Sequence, residues 1–141
     1  MSSGLLFENR GYDFVELCGP SGSLKAWSLR ADVYVTRLTG YIDNKLVTAL
    51  LAHGDRLVAK NVRLHVFHDW LNVEHYDVSA RVAVTTWTTR NIAQYASANV
   101  LAKSKLISMA VTVGNLAWNG TVKLYSKPEE FHECLHKCIK G

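Results

Sequence analysis

Between Asp55 and Val113 the chain has neither a glycine nor a proline. Nothing in that long stretch supplies a hairpin turn, so its apolar segments cannot all be read as short antiparallel strands. Cysteine is also scarce. Cys18 stands alone near a turn and Cys134 and Cys138 lie near the C-terminus; an odd count without paired spacing excludes a disulfide framework. Positive charge is in slight excess, at +4, but no basic run is longer than Lys103-Ser104-Lys105. That thin spread lacks the concentrated stripe of a nucleic-acid binder. No apolar run approaches the roughly 20 residues of a membrane span. The opening MSSGLLFENR has no basic region followed by a long apolar core, so no secretory signal is expected and the expected location is the cytoplasm.

Catalytic signatures are missing too. There is no nucleophile elbow, phosphate loop or dinucleotide fingerprint. Gly19-Pro20-Ser21-Gly22 is glycine-bearing, but it precedes no helix and reads as a turn. An enzyme is therefore not expected. A nucleophile such as Cys18, assembled with partners only in space, leaves an enzyme of unknown type as the third reading. No cofactor is implied.

What is present is an ordinary globular composition. Of 141 residues, 48% are hydrophobic and 20% charged, as in a soluble domain of this size. The reading is one domain over 1–141, with 1–11 and 140–141 loosely ordered.

Tyr12–Leu17 alternates loosely, the cluster Cys18–Ser23 turns the chain, and Lys25–Leu29 supplies a returning strand. Val33–Leu38 is β-branched and aromatic and reads as a strand that Gly40 ends. Asp43 caps a helix from about Asn44, with Gly54 as a break or C-cap. Val62–Phe67 is a buried-strand pattern running to Asp69, followed by a short polar loop from Trp70 to Tyr76. Arg81–Thr89 is rich in β-branched residues. Ala80, Val84 and Trp87 nevertheless make a helical stripe, with Ala83 beside it, and the span 78–96 is too long for an ordinary strand. It is read as helix.

A short strand at Asn99–Lys103 follows, then a helix capped by Ser104 with Leu106, Ala110, Val113 and Ala117 on one face. Asn119-Gly120 ends that helix; the competing reading makes the pair a hairpin turn. Thr121–Tyr125 is the last strand. Ser126-Lys127-Pro128-Glu129 is a capping box with an early-turn proline, opening a helix whose core stripe is Phe131, Cys134, Leu135 and Cys138. Alternation of this kind implies an α/β fold: a mixed, mostly parallel sheet of four to six strands with about four helices.

That element order, over about residues 12–140, resembles the STAS-like fold of anti-sigma factor antagonists. In that family a strand ends in an Asp-Leu-Ser type sequence, and a loop leads to Asp-Ser-Ser-Gly at a helix start. Asp69-Trp70-Leu71 and Asp77-Val78-Ser79 lie at the same separation, eight residues from one Asp to the other. The family's phosphorylated serine commonly follows the Asp directly, and Val78 stands at that position. Ala80 or Arg81 replaces the glycine, and Ser79 alone keeps a hydroxyl. The resemblance implies a regulatory interaction module, phosphoswitch-degenerate, with a kinase-like or sigma-regulatory protein partner. The runner-up is a STAS-like protein that binds a small apolar ligand or lipid between helices and sheet. Either leaves room for a homodimer.

The partner-binding candidates are Trp70, Tyr76, Asp77, Ser79 and Arg81, with Ser79 the candidate phosphorylation site. The plain alternative makes Asp77 an N-cap and Ser79 a first-turn residue, there for about 1 kcal/mol of helix stability. A phosphate on Ser79 would sit near the helix N-terminus, where free amides favour it, and Arg81 could pair with it. Trp70 and Tyr76 lie where open α/β sheets bind their ligands.

No metal site is expected. His65 and His68 are an odd number of residues apart on a strand and point to opposite faces, and His75 lies further on. The pairs His132/His136 and Cys134/Cys138 are offset by about 200° around their helix and do not form one site.

Overall fold

The chain doubles back twice before its first helix. In the computed structural model, which describes residues 6–140, strand β1 (Tyr12–Cys18) pairs antiparallel with β2 (Gly22–Arg30), and β2 with β3 (Val33–Ile42). From there the pattern alternates: α1 (Asn44–Val58), β4 (Leu64–Tyr76), α2 (Val78–Asn91), β5 (Tyr95–Leu101), α3 (Lys105–Trp118), β6 (Val122–Tyr125) and α4 (Pro128–Lys140). The six strands lie side by side in chain order, and every pairing from β3 to β6 is parallel. Each parallel step carries a helical crossover, as the connection requires. Among the described residues no helix is long and apolar enough to cross a membrane.

The helices are distributed unequally. Leu46, Leu50 and Leu57 of α1, Ala80 of α2, and Ile107, Val111 and Trp118 of α3 pack on one face of the sheet against Tyr34, Val66 and Val100. The opposite face is covered by α4, through Phe131 and Leu135, and by Leu6, all against Trp27, Val35 and Phe67. Cys134 and Cys138 pack at the edge of that second core, completing the stripe read from the sequence.

Local chemistry explains most of the boundaries. The Asp43 side chain accepts from the Leu46 N–H at 3.0 Å, and Ser104 accepts from Leu106 and Ile107; both are N-caps. Asn119 closes α3 in the left-handed region at φ 53°, so the Asn119-Gly120 pair is a helix end and not a hairpin. At α4 the first helical bond runs from the Phe131 N–H to the Lys127 carbonyl, which puts Lys127 and not Ser126 at the cap.

Several expectations are corrected. Gly40 does not end β3. It sits at φ 77° on a register shift and the strand runs on to Ile42, because a Cβ there would fall 2.3 Å from the Ser21 carbonyl oxygen. Gly54 neither breaks nor caps α1. Its missing side chain admits the Trp87 ring, with Cζ2 2.8 Å from where a Cβ would stand. The polar loop expected at Trp70–Tyr76 is strand: β4 pairs with β3 as far as Ile42↔Tyr76. β5 pairs with β4 only up to Asp69↔Leu101. Beyond that point β4 has β3 as its one neighbour and is an edge strand, which tolerates the polar residues that look like loop. β5 starts at Tyr95, earlier than expected, because α2 ends at Asn91 and one 3₁₀ turn completes the span.

Residues 6–10, expected loose, are ordered. Leu6 is fully buried, and Glu8 in a 3₁₀ turn pairs with Lys25 and Arg37. Residues 1–5 and 141 lie outside the described residues.

The helix face read for α3 is the wrong one. Leu106 and Val113 are 48% and 66% exposed, while Ile107, Val111, Gly114 and Trp118 are buried. α3 is apolar nearly all round, so periodicity alone could not choose which side faces the sheet.

Candidate functional site

The ends of β3 and β4 and the facing sides of α2 and α3 do not close on one another. They leave an apolar cleft of about 90 Å³ between Leu38, Val73, Val84, Ile107 and Val111. Beside it a groove of about 440 Å³ runs along the outside of α2 and α3, where Leu106, Met109 and Val113 stand. Tyr76, Arg81, Thr85, Ala110 and Trp118 wall both spaces, so the two adjoin. The position is the carboxyl end of parallel strands, where open α/β sheets hold ligands.

Two indoles keep the cleft apolar because their polar atoms are satisfied elsewhere. The Trp118 Nε1 donates to Thr89 Oγ1 at 2.9 Å. Trp70 Nε1 donates to Thr36 Oγ1 at 3.2 Å, and its ring stacks on His68 with centroids 4.6 Å apart. His68 Nδ1 in turn meets the Thr36 hydroxyl at 2.6 Å. Burial pushes the His68 imidazole down to about 3, so it is neutral under ordinary conditions. What these side chains show to the cleft is ring carbon.

The residues read from the sequence divide into two groups. Trp70, Tyr76 and Arg81 come together around the cleft. Trp70 and Tyr76 are half-buried walls on a strand, not a presented loop. Asp77 and Ser79 stand outside. Asp77 occupies the N-cap position of α2, but its side chain makes no capping bond; it accepts from the Tyr41 hydroxyl at 2.5 Å. That bond raises the Tyr41 phenol above its ordinary range. The Ser79 hydroxyl is exposed and donates to Asn44 Oδ1 at 3.0 Å, tying α2 to the start of α1. The guanidinium of Arg81 is exposed and forms no ion pair among the described residues.

Sequence reasoning did not single out Leu38, Val73, Ile107, Val111 or Trp118 as site residues. The signal available was the excess of apolar residues around α3, which a single core cannot absorb.

A second polar group lies on the other side of the sheet. Arg37 bridges Glu8 at 3.3 Å and Asp69 at 3.5 Å, and its guanidinium lies 5.5 Å from the Trp27 ring centre. His132 of α4 is near enough to feel Asp69, although burial still lowers its proton affinity. The cluster fastens the N-terminal turn to the sheet, although Arg37 Nη2 and Trp27 Nε1 are buried there without a hydrogen-bond partner among the described residues. His65 bonds Ser97 at 2.8 Å and His75 packs edge-on to Tyr41, so the three histidines of β4 go to different partners. Among the described residues no three His, Cys, Asp or Glu side chains are placed to hold one metal ion.

No protein-family model matches the sequence, and no curated protein does. The fold has solved counterparts. An uncharacterized protein from the DUF3478 family with a SpoIIAA-like fold, from Shewanella loihica PV-4, superposes with a TM-score of 0.61 over 86% of this chain and 91% of its own, at 9% identity. The chain therefore has the SpoIIAA-like, STAS-like α/β fold, and that identity speaks to the fold alone.

Proposed function

We propose that this chain works by binding and not by chemistry, and that it takes a small apolar molecule into the cleft between α2, α3 and the sheet. The observation that carries this is an interior carbon-lined space adjoining an outer groove. Ligand sites are commonly such concavities, mostly apolar with a few convergent polar groups. Of the five residues that the sequence offers for docking, Trp70, Tyr76 and Arg81 line the cleft.

The test is binding of the neutral fluorophore N-phenyl-1-naphthylamine by the full chain. Saturable binding is expected, lost in Ala110→Phe, which fills the cleft from the shared wall, with urea unfolding to show that the variant is folded. Wild-type protein that leaves the probe dark, or an Ala110→Phe variant that binds it equally well, would refute the reading.

A second reading is a regulatory protein-interaction module, and one observation favours it. Val78, Val82, Met109, Val113 and Leu116, on the outer sides of the same helices, are 50–84% exposed. Exposed apolar patches on this scale mark interaction surfaces. A kinase-like or sigma-regulatory partner recovered from the native cell, and released by Leu116→Glu with probe binding intact, would support that role.

A further inference from the structure

We propose that the ligand of the cleft is a single-chain anionic amphiphile, a long-chain carboxylate, with its tail end in the cleft and its head on Arg81. This rests on the apolar-ligand reading and deepens it. Size sets the first limit. An apolar cavity of roughly 150 Å³ accepts a benzene ring; the cleft, at about 90 Å³, takes the end of one hydrocarbon chain and has no room for two side by side. The remaining methylenes and the head then lie at the boundary with the outer groove, where Arg81 stands.

Charge sets the second limit. Arg81 is the one charged side chain common to both linings. Its guanidinium has no ion-pair partner among the described residues, although Asp77 lies one helical turn before it. Asp77 is instead engaged by the Tyr41 hydroxyl. A forked cation at the mouth of a carbon-lined slot matches a carboxylate, to which it can donate two parallel bonds. The nearby Asp77 charge disfavours a doubly charged phosphate head. Beside Arg81, Tyr76 and Thr85 line both spaces and carry the nearest hydroxyl groups along those walls.

The experiment compares dodecanoate, dodecanol and dodecyltrimethylammonium on the full-length, delipidated chain, followed by calorimetry and by quenching of tryptophan emission at low salt. Dodecanoate is expected to bind about tenfold more tightly than dodecanol, the worth of a charge-assisted hydrogen bond, and the cationic analogue more weakly than either. In Arg81→Gln the preference for dodecanoate over dodecanol should vanish. Equal affinity for dodecanoate and dodecanol, or an unchanged preference in Arg81→Gln, would overturn the anionic head and leave the apolar site standing. Failure of all three to bind folded wild-type protein would overturn both.

Discussion

Trp87 fills the space that Gly54 leaves. Its indole lies where a Gly54 Cβ would project, and its Nε1 donates to Asp55 at 2.7 Å. One residue on α2 is thereby held by two consecutive residues on α1. The contact fixes how far α2 stands from α1.

Gly54→Ala should therefore destabilise the chain, although alanine is the better helix former by about 1 kcal/mol. Overpacking against an anchored ring costs about 1–3 kcal/mol and should win. Urea denaturation of the two proteins measures the difference; a more stable variant would show that Trp87 can swing aside.

The orientation of α3 gives a paired test. Val111 is 7% exposed and Val113 66%. Val111→Ala should cost about 2 kcal/mol, and Val113→Ala no more than about 0.5 kcal/mol. Equal losses in thermal or urea unfolding would mean that the helix is turned otherwise.

Acid should destabilise the fold through His68. Its pKa is lowered to about 3 by burial, against an ordinary value of about 6.5 in the unfolded chain. Below pH 6.5 the unfolded chain therefore binds the extra proton, so the stabilisation is complete above that pH and is lost as the pH falls towards 3. At pH 5 the loss from this group is about 2 kcal/mol. His53, also lowered by burial, acts in the same direction. NMR titration should show no protonation of His68 above pH 4, and His68→Gln should flatten the pH dependence of unfolding between pH 7 and 5.

The Tyr41–Asp77 bond predicts a spectroscopic change without a large stability change. Tyr41 is raised chiefly by its hydrogen bond to the Asp77 carboxylate. In Asp77→Asn its phenol should ionise at lower pH than in the wild type, seen as an earlier rise in ultraviolet absorbance. An unaltered titration would show that the bond is not formed in solution.

The architecture was legible because its markers are local. Asp43 and Ser104 cap helices where they stand, and the alternation of elements implies a largely parallel sheet. The helix at Val78–Asn91 was harder, since Val82, Val84, Thr85 and Thr86 favour strands; the stripe of Ala80, Val84 and Trp87 decided it. The site was legible only in part. Trp70, Tyr76 and Arg81 were named, but which way they face depends on β4 continuing past Asp69. That extension is held by pairing with β3, a partner distant in sequence. The opposing wall was hidden for a different reason: with apolar residues on every side of α3, Ile107 and Val111 look no different from Leu106 and Val113.

The edge of the sheet at β1 has a bearing on self-association. Its register with β2 slips between Tyr12 and Val15, and Asp13 sits there at φ 55°. An irregular, twisted margin with a carboxylate at its kink is a poor template for another chain's hydrogen bonds, even though Tyr12 and Phe14 are nearly half exposed. Two copies of this molecule would therefore meet through their greasy helices sooner than by pairing β1 with β1, and filling the groove with an occupant would oppose that encounter as well.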